Sequence, residues 1–175
     1  MYLISLYFDE KTNSRIQYYI NQVANKTGNY FMSEGKVPPH ITVSAFEAKS
    51  DEIALQTFSS AVSEIQSNNI QFVSTGQFFP NVIFVMPVLN EYLHSMSDKI
   101  YSSLIQNEEI SVSPYYRPFS WMPHVTIGKT LTKEEMLIAF QTLQHQFGPF
   151  SGMIQQIGLA KTKPYQDLIR IDLKE

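Results

Sequence analysis

The chain has 175 residues, 43% of them apolar, with 12 Phe and 10 Tyr, which suits one globular domain with an aromatic-rich core. It contains no Cys, which excludes disulfides, zinc–thiolate sites and cysteine nucleophiles. The formal net charge of −3 argues against a protein that coats long nucleic acids through bulk electrostatics.

The N-terminal segment 1–8 is apolar, but it has no basic leader and is followed at once by Asp9 and Glu10. A signal peptide or a membrane span needs a longer apolar run, so we predict a buried strand here. A segment of this kind in a chain without Cys leads us to expect a cytoplasmic protein with no membrane contact. We also expect a monomer without an obligate protein partner.

Hydrophobic periodicity predicts alternating strands and helices along the chain. The predicted strands cover residues 2–8, 39–43, 70–73, 81–88, 123–127, 152–160 and 168–173. The predicted helices begin near residues 13, 50, 90 and 132 and end near residues 28, 68, 106 and 148, and Gly76 is predicted to lie in a turn. Thr132 and Glu135 have the spacing of a capping box, and Met136, Phe140 and Leu143 are expected to face the core.

Two of the predicted strands have nearly the same sequence. Residues 39–43 read Pro-His-Ile-Thr-Val, and residues 123–127 read Pro-His-Val-Thr-Ile. Successive side chains of a strand point to opposite faces, so the His and Thr of each copy share one face, roughly 7 Å apart, while the aliphatic residues share the other. Each copy therefore presents an imidazole and a hydroxyl together.

The alternative is a pair of edge strands with structural histidines, but a repeat that includes the proline, both polar residues and both aliphatic residues favours a shared functional role. The regions 1–80 and 81–175 also have a similar order of elements, which indicates an internal duplication within a single domain, 1–175. We predict an α+β fold of two pseudo-symmetric lobes, whose antiparallel sheets face a central cleft and whose helices lie outside. His40 and His124 are expected to meet in that cleft.

The pair of H-x-T-x motifs resembles the two-histidine (2H) phosphoesterase superfamily, which includes the bacterial 2′-5′ RNA ligases and cyclic phosphodiesterases. The resemblance implies that His40 and His124 are the catalytic pair and that Thr42 and Thr126 hold the phosphate. It implies nucleotides or RNA ends as substrates and no cofactor.

Lys129 follows the second histidine by five residues, at a position where members of this superfamily often carry Arg or Lys. The resemblance therefore implies a phosphate contact for Lys129. The first motif has Ala45 at the equivalent place and supplies no second cation.

Aromatic residues precede the second motif. Tyr116 and Trp121, with Tyr115 and Phe119, are candidates for stacking on a base, and the alternative is that they anchor the loop. The basic residues Arg117, Lys36, Lys161 and Lys163 could surround the cleft, although a solvated surface position is the commoner role for such residues.

Histidine has an ordinary pKa near 6.5, so one imidazole can deprotonate the attacking oxygen while the other protonates the leaving oxygen. The sequence thus favours a metal-independent phosphodiesterase that acts on 2′,3′-cyclic phosphates or 2′-5′-linked RNA. A non-catalytic binder of nucleotides or RNA ends is the alternative. A metallohydrolase is disfavoured because HExxH, Cys and acidic neighbours of both histidines are lacking. Which histidine is the acid, which product isomer forms and whether ligation occurs stay open.

Overall fold

The computed structural model describes residues 1–35 and 37–174. Eight strands lie within these residues: β1 Tyr2–Phe8, β2 His40–Ala48, β3 Asn68–Phe78, β4 Val82–Pro87, β5 Ile110–Val112, β6 Val125–Gly128, β7 Phe150–Lys161 and β8 Gln166–Asp172. Five α-helices lie between them: α1 Glu10–Thr27, α2 Phe31–Glu34, α3 Asp51–Val62, α4 Glu91–Leu104 and α5 Lys133–Gln146.

All eight strands pair antiparallel in one sheet, in the order β5-β2-β1-β7-β3-β4-β6, with β8 also paired to β7. Strand β7 belongs to two arms of this sheet. Along one edge it pairs with β1, whereas along the other edge its first part pairs with β3 and its second part with β8. We call β5-β2-β1-β7-β8 the first arm and β7-β3-β4-β6 the second arm.

The sheet folds back on itself. Strands β2 and β6 lie in different arms and far apart in the strand order, yet their Cα atoms approach within 8 Å. Helices α3 and α4 pack on the first arm and α5 on the second, while α1 contacts β6 of the second arm, β1 of the first and the shared strand β7. The predicted α+β class, with antiparallel strands in two lobes, a cleft between them and helices outside, is confirmed. The duplication of 1–80 and 81–175 stays a prediction.

The motif strands contribute directly to the core. Ile41, Val43, Val125 and Ile127 are each at most 1% exposed, as their alternation with the polar residues predicts. Burial of an aliphatic side chain of this size stabilises the fold by about 1.5–3 kcal/mol. The outward position of the histidines and threonines is therefore held by the aliphatic residues between them.

Helix boundaries follow from side-chain caps. The predicted start of α1 near residue 13 is wrong, because the Asp9 carboxylate accepts a hydrogen bond from the Thr12 backbone amide and starts the helix at Glu10. Gly28 ends α1 with φ 76°, as predicted. The predicted capping box of Thr132 and α5 is also present.

Three further differences concern single elements. Gly76 lies inside β3 and not in a turn, since it pairs opposite Phe84 of β4. A glycine suits this position because a Cβ atom there would come within 2.6 Å of the Phe84 ring. Helix α3 ends at Val62, short of residue 68, where β3 begins. Phe140 is 48% exposed and does not face the core, because Met136, Ala139 and Leu143 occupy the inner face of α5. In the part of the chain that the structure describes, no helix has the length and hydropathy to cross a membrane.

Candidate active site

The two histidines are held by the same local arrangement. Nδ1 of His40 lies 2.8 Å from the carbonyl oxygen of Pro38, and Nδ1 of His124 lies 2.8 Å from that of Met122. A carbonyl oxygen can only accept a hydrogen bond, so Nδ1 carries the hydrogen in both rings. This leaves Nε2 of each histidine as the atom that can take up or release a proton.

The threonines lie beside the histidines on the same face. Thr42 and Thr126 are half-buried, as are both histidines, while the alternate residues are buried. The Oγ1 atom of Thr42 lies 3.4 Å from the hydroxyl oxygen of Ser5 on the neighbouring strand β1. Both H-x-T segments therefore present the predicted imidazole and hydroxyl pair on their partly exposed face.

A hydrogen bond connects the segment just before β6 to strand β2. Trp121 lies just before β6 in the second arm, and its indole nitrogen donates to the backbone carbonyl of Thr42 in the first arm, at 2.9 Å. Trp121 itself is only 7% exposed. The structure thus shows this residue as a link between the walls of the cleft, and its base-stacking role stays a prediction.

The pKa values of both histidines are below the ordinary histidine value. Burial is the main cause, and in each case the hydrogen bond to the backbone carbonyl opposes it. The charge of His124 lowers the pKa of His40 further, which places the two imidazoles within electrostatic reach of each other. Both rings therefore favour the neutral form at pH 7.

The surroundings of the two histidines differ. Aromatic rings enclose His124, with the Phe78 ring centroid at 4.8 Å and that of Phe84 at 5.3 Å. The nearest ring to His40 is that of Tyr7 on β1, at 6.0 Å between centroids. No motif in the sequence marks these three aromatic residues, because only the strand pairing places them beside the two histidines.

A pocket of about 630 Å³ opens beside His124. It is lined by Phe78, Phe79, Tyr115, Tyr116, Ser120, Trp121, Met122 and His124. Phe79 is 84% exposed and Tyr115 is 80% exposed, although both line the pocket. Tyr116 is half-buried, and burial raises the pKa of its hydroxyl. Flat apolar rings around a pocket of this size suit a planar heterocycle.

The basic residues that were expected around the cleft do not line this pocket. Lys129 is exposed just beyond the end of β6, and its phosphate contact stays a prediction. Lys161 pairs with Asp51 of α3 at 2.7 Å, on the helix side of the sheet. Arg117 and Lys163 are exposed, and Lys36 lies outside the described residues.

Within residues 1–35 and 37–174, no group of three or more His, Cys, Asp or Glu side chains is placed to hold a metal ion. The described neighbours of the two histidines on the motif strands and beside them are instead hydroxyls and aromatic rings.

Comparison with known proteins decides the family. The model of the 2′-5′ RNA ligase superfamily, whose members are 2H phosphoesterases, matches residues 13–165. The chain belongs to this superfamily. The predicted membership is thereby confirmed, and it supports phosphoesterase activity.

Solved structures agree with this assignment at the level of the fold. The crystal structure of Escherichia coli LigT complexed with 3′-AMP matches the present structure with a TM-score of 0.63 and 16% identity, over 99% of this chain and 98% of the LigT chain. A protein of Thermus thermophilus matches with a TM-score of 0.63 and 15% identity, over 99% and 97% of the two chains. A crystal structure described as a phosphoesterase matches with a TM-score of 0.60 and 15% identity, over 99% and 98%. A search of curated proteins gives no match.

Proposed function

We propose that the protein is a metal-independent phosphodiesterase that opens 2′,3′-cyclic phosphates, or cleaves 2′-5′ linkages, at nucleotide or RNA ends. The observation that carries the proposal is the matched pair of histidines, each with Nδ1 bonded to a backbone carbonyl and Nε2 left to exchange a proton. Two such groups on opposite walls of a cleft suit the two proton transfers of an in-line displacement at phosphorus.

The reaction of a 2′,3′-cyclic phosphate would proceed in one displacement. Nε2 of one histidine takes a proton from water as the water oxygen bonds to phosphorus, and the bond from phosphorus to one ribose oxygen breaks. Nε2 of the other histidine, protonated at the start, donates its proton to that ribose oxygen. The protonation states of the pair are then reversed, and exchange with solvent restores them.

The hydroxyls of Thr42 and Thr126 would donate to the non-bridging oxygens of the phosphate, where charge develops in the transition state. Lys129 would add a positive charge near the second motif. The aromatic pocket beside His124 supports a nucleotide substrate, because a base can stack on the exposed rings of its lining, to which Tyr116 and Trp121 also belong.

The test is hydrolysis of the four nucleoside 2′,3′-cyclic monophosphates in EDTA by the unmodified protein, His40→Ala and His124→Ala. His145→Ala is the matched control, because His145 is exposed near the end of α5. Each active-site substitution should lower kcat by about a hundredfold or more, since general acid or base catalysis contributes that much. The control should retain full activity.

Other outcomes of this experiment would favour a different function. Loss of activity in EDTA, recovered with a divalent ion, would favour a metallohydrolase. Binding of adenosine 3′-monophosphate without turnover of any substrate would favour the alternative, a non-catalytic binder that uses the same cleft. The ratio of 2′- to 3′-phosphate in the product shows which ribose oxygen leaves.

A further inference from the structure

A row of directly paired residues crosses the first arm at the level of Thr42. Thr42 pairs with Ser5 of β1, Ser5 pairs with Gly158 of β7, and Gly158 pairs with Arg170 of β8. Directly opposite residues of antiparallel strands have their side chains on the same face of the sheet. Arg170 therefore lies on the cleft face, together with the hydroxyl of the first motif.

The side chain of Arg170 leans toward His40. Its guanidinium carbon lies 3.9 Å from the centroid of the Tyr7 ring, and Tyr7 is the aromatic neighbour of His40. Gly158 leaves the space for this approach, because a Cβ atom there would come within 3.1 Å of the Tyr7 ring and 3.4 Å of Cγ of Arg170. Among the smaller effects on the pKa of His40, the charge of Asp167 raises it and that of Arg170 lowers it, so both groups lie within electrostatic reach of the ring.

Asp167 orients the guanidinium without enclosing it. Nη2 of Arg170 donates to Oδ2 of Asp167 at 2.6 Å, and the hydroxyl of Tyr165 donates to Oδ1 of the same carboxylate at 2.8 Å. The side chains of Arg170 and Asp167 are 29% and 43% exposed, so solvent screens this ion pair. A guanidinium has five N–H donors in a fixed plane, and donors remain for an incoming anion.

The second arm has no equivalent of this cation in the corresponding row. There Thr126 pairs with Phe84 of β4, and Phe84 pairs with Gly76 of β3. The glycine again makes room for an aromatic ring, but the row contains no charged residue. The cleft is thus aromatic beside His124 and carries an oriented cation beyond His40.

We infer that Arg170 binds a second phosphate of the substrate, the 5′-phosphate of the nucleotide whose cyclic phosphate lies between His40 and His124. This inference rests on the proposed function. In a nucleotide, the base and the 5′ carbon are attached to the two ribose carbons that flank the ring oxygen. The 2′ and 3′ oxygens are attached at the opposite edge of the ribose ring. With the base in the pocket beside His124 and the cyclic phosphate between the histidines, the 5′ substituent extends toward the Arg170 side.

A phosphate site at Arg170 would determine which class of substrate the protein prefers. Guanidinium and phosphate form strong, geometrically specific charge-assisted hydrogen bonds. The preferred substrates are therefore 5′-phosphorylated nucleotides and RNA 3′ ends, in which the terminal nucleotide carries a 5′ phosphodiester. Nucleoside 2′,3′-cyclic monophosphates lack this group and would be poorer substrates.

The test compares adenosine 2′,3′-cyclic phosphate with its 5′-phosphorylated form. The unmodified protein should show a kcat/KM about tenfold or more higher for the 5′-phosphorylated substrate. Arg170→Gln should reduce this ratio to about one, and Arg170→Lys should restore part of it. Lys161→Gln is the matched control for the loss of one positive charge, because Lys161 pairs opposite Tyr2 and contacts Asp51 on the helix side. It should keep the full ratio.

Both substrates are measured on the same sample, so a partly unfolded variant changes each rate but not their ratio. A ratio near one in the unmodified protein, or one that Arg170→Gln leaves intact, would overturn the inference while leaving the phosphodiesterase in place. A binding experiment separates the two proposals further. The unmodified protein should bind adenosine 3′,5′-bisphosphate more tightly than adenosine 3′-monophosphate, and Arg170→Gln should remove this difference. This binding test does not require hydrolysis. If neither cyclic substrate is hydrolysed but the affinity difference depends on Arg170, the proposed function is contradicted and the role of Arg170 is not.

Discussion

The indole nitrogen of Trp121 donates a hydrogen bond to the backbone carbonyl of Thr42, between residues that are 79 positions apart in the chain. This bond joins the segment ahead of β6 to the first part of β2. Trp121→Phe keeps an aromatic ring but leaves that carbonyl without its donor, so we expect the free energy of unfolding to fall by about 1–3 kcal/mol. Because the spacing of the cleft walls also changes, kcat/KM should fall by about tenfold. Denaturant unfolding and steady-state kinetics measure the two effects, and a stability loss with unchanged kcat/KM would show that the bond does not position the motifs.

The lowered pKa values of His40 and His124 predict the pH dependence of activity. One histidine must be neutral and the other protonated in the free enzyme, so kcat/KM follows a bell-shaped curve. Because burial moves both pKa values below the ordinary value near 6.5, the optimum should lie on the acid side of that pH, and activity should decline above it. A pH series of kcat/KM checks this, and an optimum above pH 7 would contradict the prediction.

The same shifts predict an acid-sensitive fold. A histidine whose pKa is lowered by folding binds protons more readily in the unfolded chain, so its contribution to stability is present above about pH 6.5 and is lost as the pH falls through the lowered folded value. Between pH 7 and pH 5 the free energy of unfolding should therefore decrease less in His124→Asn than in the unmodified protein. Urea unfolding at several pH values measures this difference. An identical decrease in both proteins would show that His124 titrates alike in the folded and unfolded states.

Gly76 is expected to be intolerant of a side chain. A Cβ atom at this position would come within 2.6 Å of the Phe84 ring, which packs against His124. Gly76→Ala should therefore displace the ring, lower the free energy of unfolding by about 1–3 kcal/mol and reduce kcat. Gly148→Ala is the control, because a Cβ atom there would meet nothing within 4 Å. Equal stability of the two variants would mean that Phe84 moves aside without cost.

Phe79 is expected to act on substrate binding alone. The ring is 84% exposed but lines the pocket beside His124, so Phe79→Ala should leave the free energy of unfolding almost unchanged. The loss of a stacked base should raise KM by about tenfold, since stacking on an aromatic ring contributes about 1–3 kcal/mol. Phe119→Ala is the matched control, because Phe119 is 90% exposed but is not among the residues that line the pocket. A similar KM for both variants would place the base elsewhere.

The sequence by itself determined the local features of this protein. The alternation of polar and aliphatic residues around His40 and His124 showed which side chains leave the core, because a strand can present only one of its faces to the core. The capping box of Thr132 and the glycine that ends α1 were also readable, since caps depend on residues only a few positions apart. Even there, the start of α1 and the position of Phe140 on α5 were predicted wrongly.

Tertiary structure decided which other residues stand beside the motifs. Tyr7, Phe84 and Arg170 lie in segments whose sequences show no chemistry of their own, and they reach the cleft only because β1, β4 and β8 pair in a particular order and register. Trp121 is a link between the arms only because the sheet folds back and brings β2 near β6. Register and strand order depend on contacts between distant parts of the chain. The sequence pattern therefore identified the candidate catalytic histidines, and the fold alone determined what surrounds them.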